Sequence, residues 1–309
     1  LGALLSTDEL QQGILSGDQR ALARAASLVE SQSEAGRAII ASLFPATGRA
    51  MVLGVTGPPG AGKSTLVAEL TKLFRKQGQS VGILAVDPSS PFSRGAILGD
   101  RIRMQEHHAD TGVFIRSMAS RGKLGGLAQA TLDLALLLDA AGRDVVLVET
   151  VGVGQDEVEI AELADVTLLV LTPGFGDDVQ AIKAGIMEIA DIFVINKSDL
   201  PEADRLEQEI RAMQSLGSEA GRADAAPVRR VIATEGRGLD ELVFLIQSVF
   251  EKRGRRSARA ETWRFRLREM LREALLGSIP EDEIELHAER VAGKLEDPYT
   301  AIASLMSSR

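Results

Sequence analysis

Apolar residues are distributed along the chain in two alternating textures. Continuous apolar, β-rich runs occur at MVLGVTG (51–57), VGILAVD (81–87), GVFIRSM (112–118), DVVLVET (144–150), DVTLLVLT (165–172), DIFVIN (191–196) and VRRVIAT (228–234). Several are apolar at consecutive rather than alternate positions, as in strands covered on both faces by helices. Between them, apolar residues recur at helical spacing over about 63–77, 97–107, 125–141, 178–189, 201–216 and 238–252. The pattern predicts an α/β fold with a mostly parallel sheet wrapped by helices.

The two ends of the chain read differently. Over 1–48, Leu4, Leu5, Leu10, Ile14, Leu15, Leu22, Ala26, Leu28 and Val29 predict helix, with Gly13 and Gly17 expected to break it into short pieces. Beyond Glu251 the chain turns basic, with nine Lys/Arg against three Asp/Glu in 251–272. Trp263, Leu267, Met270, Leu271, Ala274 and Leu275 form one stripe of a long amphipathic helix. That stripe suits packing on its own domain or against a second subunit. SIPEDEIE (278–285) then offers a stop, a proline and an acidic first turn for another helix. The expected division is a helical extension over 1–48, a core over 49–252 and a helical arm over 253–309.

Composition narrows the function classes. The 309 residues are 45% apolar and 26% charged, ordinary for a globular protein. A net charge of −9 argues against nucleic-acid binding through the overall field. There are no cysteines, so disulfides and thiolate metal ligands are excluded, and three histidines make a histidine-built metal site a poor reading. No apolar run approaches the ~20 residues needed to span a bilayer. The first 30 residues carry Asp8, Glu9 and Asp18, unlike a signal or transit peptide. A cytoplasmic protein with no membrane partner is expected.

The first predicted strand runs into Gly57, Pro58, Pro59, Gly60, Ala61, Gly62, Lys63, Ser64 and Thr65, which match G-x-x-x-x-G-K-[ST]. Glycines let backbone N–H groups curl around phosphate oxygens, and the following helix turns its N-terminus to the same anion. Lys63 would reach the outer phosphates and the Ser64 hydroxyl would ligate Mg²⁺. Pro58 stands where deviant P-loop ATPases of the MinD type carry a lysine, so their mechanism across a dimer is not expected.

Mg²⁺ bound to a triphosphate needs further oxygen ligands at neighbouring strand ends. Glu149 closes one apolar strand and is followed by Gly152, an acid-x-x-Gly arrangement in which the glycine N–H can sense a γ-phosphate. Asp87 closes another strand, and Asp100 opens a helix after Gly95 and Gly99. Asp100 is equally suited to helix capping, and Asp87 before Pro88 to turn chemistry. Glu149 is harder to give an ordinary role, since a buried carboxylate without a partner is costly. Aspartate is the commoner acid there, and glutamate, one methylene longer, is expected to act through a metal-bound water.

IFVINKSDL (192–200) ends an apolar strand in Asn196, Lys197, Ser198 and Asp199. Asn-Lys-x-Asp there reads guanine. Asp199 accepts from the ring N–H and the exocyclic amine, a donor pair that adenine lacks. Lys197 lays its stem along the base, and Asn196 ties loops together. Thr234 and its neighbours can offer backbone N–H groups to the guanine oxygen, although IATEGRGLDEL also reads as an ordinary turn before a helix.

PFSRGAILGDRIRM (91–104), FIRSMASRGKLGGLA (114–128), ETVGVGQDE (149–157) and the NKSD loop together resemble the MeaB/ArgK family of P-loop GTPases, which includes the human methylmalonic aciduria type A protein. The resemblance covers most of the chain. It implies a GTPase core with helical extensions, the C-terminal one dimerising. It also implies a homodimeric chaperone that uses GTP to gate cofactor delivery to adenosylcobalamin-dependent methylmalonyl-CoA mutase and to protect or rescue that enzyme. On the matching motifs, Lys63 and Ser64 would hold phosphate and Mg²⁺, Asp87, Asp100 and Glu149 the metal and switch shell, and Asn196, Lys197 and Asp199 the base.

The expected reaction is GTP plus water to GDP plus phosphate, driven by positioning and charge neutralisation. Val153 stands where Ras-type enzymes place a glutamine, so slow turnover accelerated by a partner is expected. Arg94, Arg116 and Arg121 are candidate charge stabilisers or plain surface residues. PGFGDDVQAIKAGI (173–186) suggests a further switch with Lys183 approaching the phosphates, or a glycine-capped loop with a solvated helix. A small-molecule kinase of the ArgK type and a metal-insertion GTPase are the rival readings.

Overall fold

The computed structural model describes residues 6–87, 110–119, 126–150, 164–174, 190–218, 225–255 and 260–307. The chain divides into two compact units, Leu1–Arg259 and Ala260–Arg309.

The first unit opens with three helices, α1 (Thr7–Leu15), α2 (Gln19–Glu30) and α3 (Glu34–Leu43). Each starts at a polar cap. Ser6 and Glu9 form a capping box, Asp18 accepts from Arg20 N and Ser33 accepts from Gly36 N. The bond from the Ser6 backbone holds the Glu9 carboxyl below its ordinary range. Gly17, at φ +86°, separates the first two helices as expected. Gly13 does not break anything: it lies within α1. A Cβ there would come 2.7 Å from the Ala21 Cβ, so this glycine lets the two helices approach closely.

Strands and helices then alternate: β1 (Met51–Thr56), α4 (Lys63–Lys76), β2 (Val81–Asp87), β3 (Val113–Ala119), α5 (Gly126–Ala140), β4 (Val145–Thr150), β5 (Val166–Leu171), β6 (Ile192–Ile195), α6 (Ala203–Ser218), β7 (Val228–Arg230) and α7 (Leu239–Arg253). The seven strands form one parallel sheet in the order β3-β2-β4-β1-β5-β6-β7. β4, β5 and β6 are buried at every position, which explains their unbroken apolar runs. The predicted helices over 97–107 and 178–189 lie outside the described residues.

Helices cover both faces. One core joins Leu53, Val55, Leu168, Val170, Ile192 and Val194 to Leu66, Leu70 and Phe74 of α4 and Leu242 and Ile246 of α7. A second joins Leu84, Val86, Phe114, Val146 and Val148 to Leu134 and Leu138 of α5 and to Leu10, Ile14, Leu22, Val29, Ile39 and Leu43 of the first three helices. A third seats α6 on Leu169, Leu171, Phe193 and Ile195. The buried Asp139 carboxylate on α5 accepts from the backbone N–H of Gly48 at 2.5 Å, Arg49 at 3.0 Å and Ala50 at 2.9 Å, fixing the entry of the chain into β1.

The expected strand over 228–234 ends early. Beyond Arg230, Ile232 forms an antiparallel bridge with Arg237, and Ala233–Glu235 tighten into a 3-10 turn. Val231 still donates to the Ile195 carbonyl at 2.9 Å, and after it the backbone leaves the sheet as that loop folds back on itself.

The second unit holds α8 (Ala260–Gly277), α9 (Glu281–Ala292) and α10 (Pro298–Ser307). α9 begins after Pro280 with Glu281, Asp282 and Glu283 in its first turn, as the sequence pattern predicts. The Arg266 guanidinium lies 4.9 Å from the Trp263 ring centre. Leu267, Leu271, Leu276, Tyr299, Ile302 and Met306 are exposed.

Candidate functional site

The C-terminal ends of β1, β4, β5 and β6 gather the motif residues on one edge of the sheet. Parallel strands with helices on both faces place ligands at such an edge, where the loops diverge. The loop from β1 to α4 needs glycine for two reasons. Gly57, Gly60 and Gly62 have φ of +138°, +80° and +86°. A Cβ on Gly57 would lie 2.0 Å from the Val170 carbonyl oxygen, and one on Gly62 would lie 2.4 Å from Asn196 Nδ2. The loop is therefore pressed against the ends of β5 and β6.

Lys63 is the first residue of α4 and is buried. Its Nζ donates to the carbonyls of Gly57 at 2.6 Å and Pro58 at 2.9 Å. The ammonium is thus wrapped by the loop that the motif assigns to phosphate. Thr65 follows on the same helix turn, half-buried.

Ser64 and Glu149 meet. Register sets Val55 of β1 level with Glu149 of β4, and Ser64 Oγ donates to Glu149 Oε1 at 2.5 Å. Beside them the buried Thr150 hydroxyl donates to Thr56 Oγ1 at 3.0 Å. A hydroxyl and a carboxylate are the hard oxygen ligands Mg²⁺ takes. Octahedral coordination at about 2.0–2.1 Å would set neighbouring ligand oxygens about 2.9 Å apart. The observed pair is within a few tenths of an ångström of that spacing, so the residues present fit the ion.

Asp87 ends β2 with its backbone level with Ala119 of β3, and its side chain is outside the described residues. Asp100, Gly152 and Lys183, with Arg94 and Arg121, are also outside them. Arg116 is described, and it is turned away from catalysis: its guanidinium pairs with Glu30 on α2, with Nε 2.9 Å from Oε2.

Asn196 is the junction of the base side. It is 3% exposed. Its Nδ2 donates to the Ala61 carbonyl at 2.9 Å, and its Oδ1 accepts from Ala233 N at 3.1 Å. One amide therefore joins the phosphate loop, the end of β6 and the loop after β7. Lys197 has φ +53°, an uncommon conformation for a residue with a side chain, and its Nζ donates to the Gly60 carbonyl at 2.9 Å. Ser198 N donates to the Val231 carbonyl at 3.2 Å, which braces the turn carrying the exposed Asp199. Thr234, also exposed, sits in the 3-10 turn that Ala233 starts.

The structure thus brings together Gly57 to Thr65, Glu149, Asn196, Lys197, Asp199 and Thr234. Residue patterns assigned the N–H groups beside Thr234 to the guanine oxygen and missed that of Ala233 as the partner of Asn196 Oδ1. They also missed the Thr56–Thr150 pair, for which the only signal was a threonine at the end of each of two apolar strands.

Comparison with known proteins places this geometry. The family described as "Methylmalonyl Co-A mutase-associated GTPase MeaB" matches residues 22–283. A Pyrococcus abyssi protein, named provisionally as a GTPase, is 50% identical over 304 residues, covering 95% of this chain and 94% of its own. The mitochondrial methylmalonic aciduria type A homolog of Mus musculus is 37% identical over 255 residues, covering 76% of this chain and 61% of its own. A crystal structure titled as an LAO/AO transport system kinase superposes with a TM-score of 0.73 at 29% identity, covering 99% of both chains. With a P-loop, an acid facing its serine and an Asn-Lys-x-Asp turn locked to that loop, this chain belongs to the MeaB family of methylmalonyl-CoA mutase-associated GTPases.

Proposed function

We propose that the protein hydrolyses GTP to GDP and phosphate and serves as a chaperone of an adenosylcobalamin-dependent methylmalonyl-CoA mutase, gating cofactor delivery and protecting or reactivating that enzyme. The observation that carries the nucleotide reading is the Asn196 amide, which ties the Asn-Lys-x-Asp turn to the phosphate loop through Ala61. The family's description and the mouse relative's name supply the partner.

In this reading Asp199 takes the two guanine donors, and adenine would leave that carboxylate without partners. The Lys63 ammonium leaves the Gly57 and Pro58 carbonyls for the outer phosphates. Ser64 and Glu149 would hold Mg²⁺, with Asp87 and Asp100 as further candidate ligands, and the ion would supply charge neutralisation across the phosphates. Gly152 would sense the γ-phosphate through its N–H. Lys183 would couple the 173–186 segment to nucleotide state. With Val153 after the acid-x-x-Gly pair, turnover is slow alone and faster with the mutase.

The working form is a homodimer joined through its C-terminal helices. The exposed Leu267, Leu271, Tyr299 and Ile302 of the second unit support it. Among the described residues no helix is long and apolar enough to cross a membrane. Action in the cytoplasm, without a membrane or nucleic-acid partner, is part of the same proposal.

A second reading, a P-loop kinase, is favoured by the name of the structural relative. Labelled γ-phosphate separates the two: free phosphate supports the GTPase, and label on an acceptor supports the kinase. GTP turnover measured alone and with the copurified mutase tests the chaperone reading. Asp199→Asn should shift preference from guanine to xanthine nucleotides, and ATP binding as tightly as GTP would sink the base assignment.

A further inference from the structure

β1 and β4 end side by side at the candidate metal site, and the last residue of each is a threonine. Thr56 is 2% exposed and Thr150 is 3% exposed. The last pair in the ladder between the two strands is Val55 with Glu149. At the next level each threonine pairs with its strand's other neighbour, Thr56 with Leu169 of β5 and Thr150 with Val86 of β2. There a side-chain bond joins β1 to β4: Thr150 Oγ1 donates to Thr56 Oγ1 at 3.0 Å.

Strand alternation sets this bond on the opposite face of the sheet from the metal-ligating oxygens. Leu53, Val55, Val145 and Leu147 pack with α4, and Glu149 continues that set to meet Ser64 in the first turn of α4. Val52, Val146 and Val148 pack with the core under α5 and the first three helices, and Thr56 and Thr150 continue that set. Valine has the shape of threonine and already fills the preceding positions on that face, so packing alone calls for no hydroxyl. Two hydroxyls that meet each other keep both from being buried without a partner.

The bond sits next to the groups whose spacing matters for a cation. Glu149 and Thr150 are successive residues. Thr56 directly precedes Gly57, where the loop that leads to Ser64 begins. Separating the ends of β1 and β4 would therefore separate Ser64 Oγ from Glu149 Oε1, which lie 2.5 Å apart. We propose that Thr56 and Thr150 are positioning residues of the metal site: their hydroxyl bond, made on the opposite face of the sheet, holds Glu149 where its carboxylate and the Ser64 hydroxyl can serve one Mg²⁺ ion. Neither threonine is a ligand. The pair acts by fixing two strand ends. This rests on the guanine-nucleotide and Mg²⁺ reading above.

The test uses the full-length chain, fluorescent GDP titrated over a range of Mg²⁺ concentrations and in EDTA, and thermal melts of the nucleotide-free protein. Thr150→Val should raise the Mg²⁺ concentration that half-saturates tight GDP binding about tenfold, with GDP affinity in EDTA within twofold of wild type. It should also melt about 2–4 °C lower, because Thr56 keeps a buried hydroxyl without its partner. Thr150→Ser should restore the Mg²⁺ half-point. The double variant Thr56→Val with Thr150→Val separates positioning from packing. It leaves no orphaned hydroxyl, so its melting temperature should return to about that of wild type, while the Mg²⁺ half-point stays about tenfold high. A role confined to packing would restore both together. A half-point within twofold of wild type in either valine variant, equal losses of GDP affinity with and without Mg²⁺, a Thr150→Ser half-point as high as that of Thr150→Val, or a double variant that fails to fold overturns the inference. Wild-type protein whose GDP binding ignores Mg²⁺ overturns the metal reading, and wild-type protein that does not bind GDP overturns the nucleotide reading. Both of those failures precede any substitution and are distinguishable from the first set.

Discussion

Replacing Asn196 by alanine removes two hydrogen bonds at once. The Ala61 carbonyl loses its donor at 2.9 Å and the Ala233 N–H loses its acceptor at 3.1 Å, both in buried surroundings. Each orphaned backbone group costs about 1–3 kcal/mol. Partial relaxation of two loops brings the sum to roughly 2–4 kcal/mol, and for a domain of this size each kcal/mol lowers the melting temperature by about 2–4 °C. The expected shift for the nucleotide-free protein is therefore on the order of 5–10 °C downward by calorimetry. Because the same amide fixes the phosphate loop, fluorescent GDP affinity should fall about 100-fold, equivalent to roughly 2.7 kcal/mol. Asn196→Asp sharpens the test. It keeps an acceptor for Ala233 N but sets a second acceptor against the Ala61 carbonyl, so it should lose at least as much. A melting temperature within 1 °C of wild type and an affinity within twofold, for either variant, would refute the idea that one amide holds the three loops together.

Gly62→Ala places a methyl group 2.4 Å from Asn196 Nδ2 at a φ of +86°, and should abolish nucleotide binding by titration while circular dichroism stays that of a folded protein. Asp139→Asn leaves one acceptor oxygen for three backbone donors, and should lower denaturant stability by about 1–3 kcal/mol with GDP affinity unchanged. The Glu207 carboxyl is held below its ordinary value of 4.5, chiefly by its bond from Arg211 and then by Arg230. A depressed carboxylate stabilises the fold above the unfolded value and loses that contribution as pH falls through the lowered one. Urea melts of wild type and Glu207→Gln should therefore converge as pH drops below 4.5, and parallel curves would contradict the assignment.

Much of the core was legible from residue pattern because both faces of the sheet are covered. β4, β5 and β6 have no exposed side, so their apolar runs are continuous and bounded by the loops themselves. The phosphate loop was legible because glycine is required there by contact as well as by φ. What was not legible depends on neighbours distant in sequence. Gly13 read as a helix breaker and is a point of close approach to Ala21. Ile232 and Ala233 read as strand, yet the bridge from Ile232 to Arg237 turns them out of the sheet, while Val231 still bonds to Ile195 and Ser198. The left-handed backbone of Lys197 has no signature in its own side chain, since it is set by the bonds of Lys197 Nζ to Gly60 and of Ser198 N to Val231.

The first three helices form an N-terminal extension to the sheet, and Leu10, Ile14, Leu22, Val29, Ile39 and Leu43 make one side of an interior whose other side is Leu84, Val86, Phe114, Val146 and Val148. A chain shortened to begin at Arg49 would wet that greasy face of β2, β3 and β4, and would be expected to clump rather than behave as a smaller GTPase. Proteolysis near the start of the chain is therefore a route to losing the whole enzyme, not a trim.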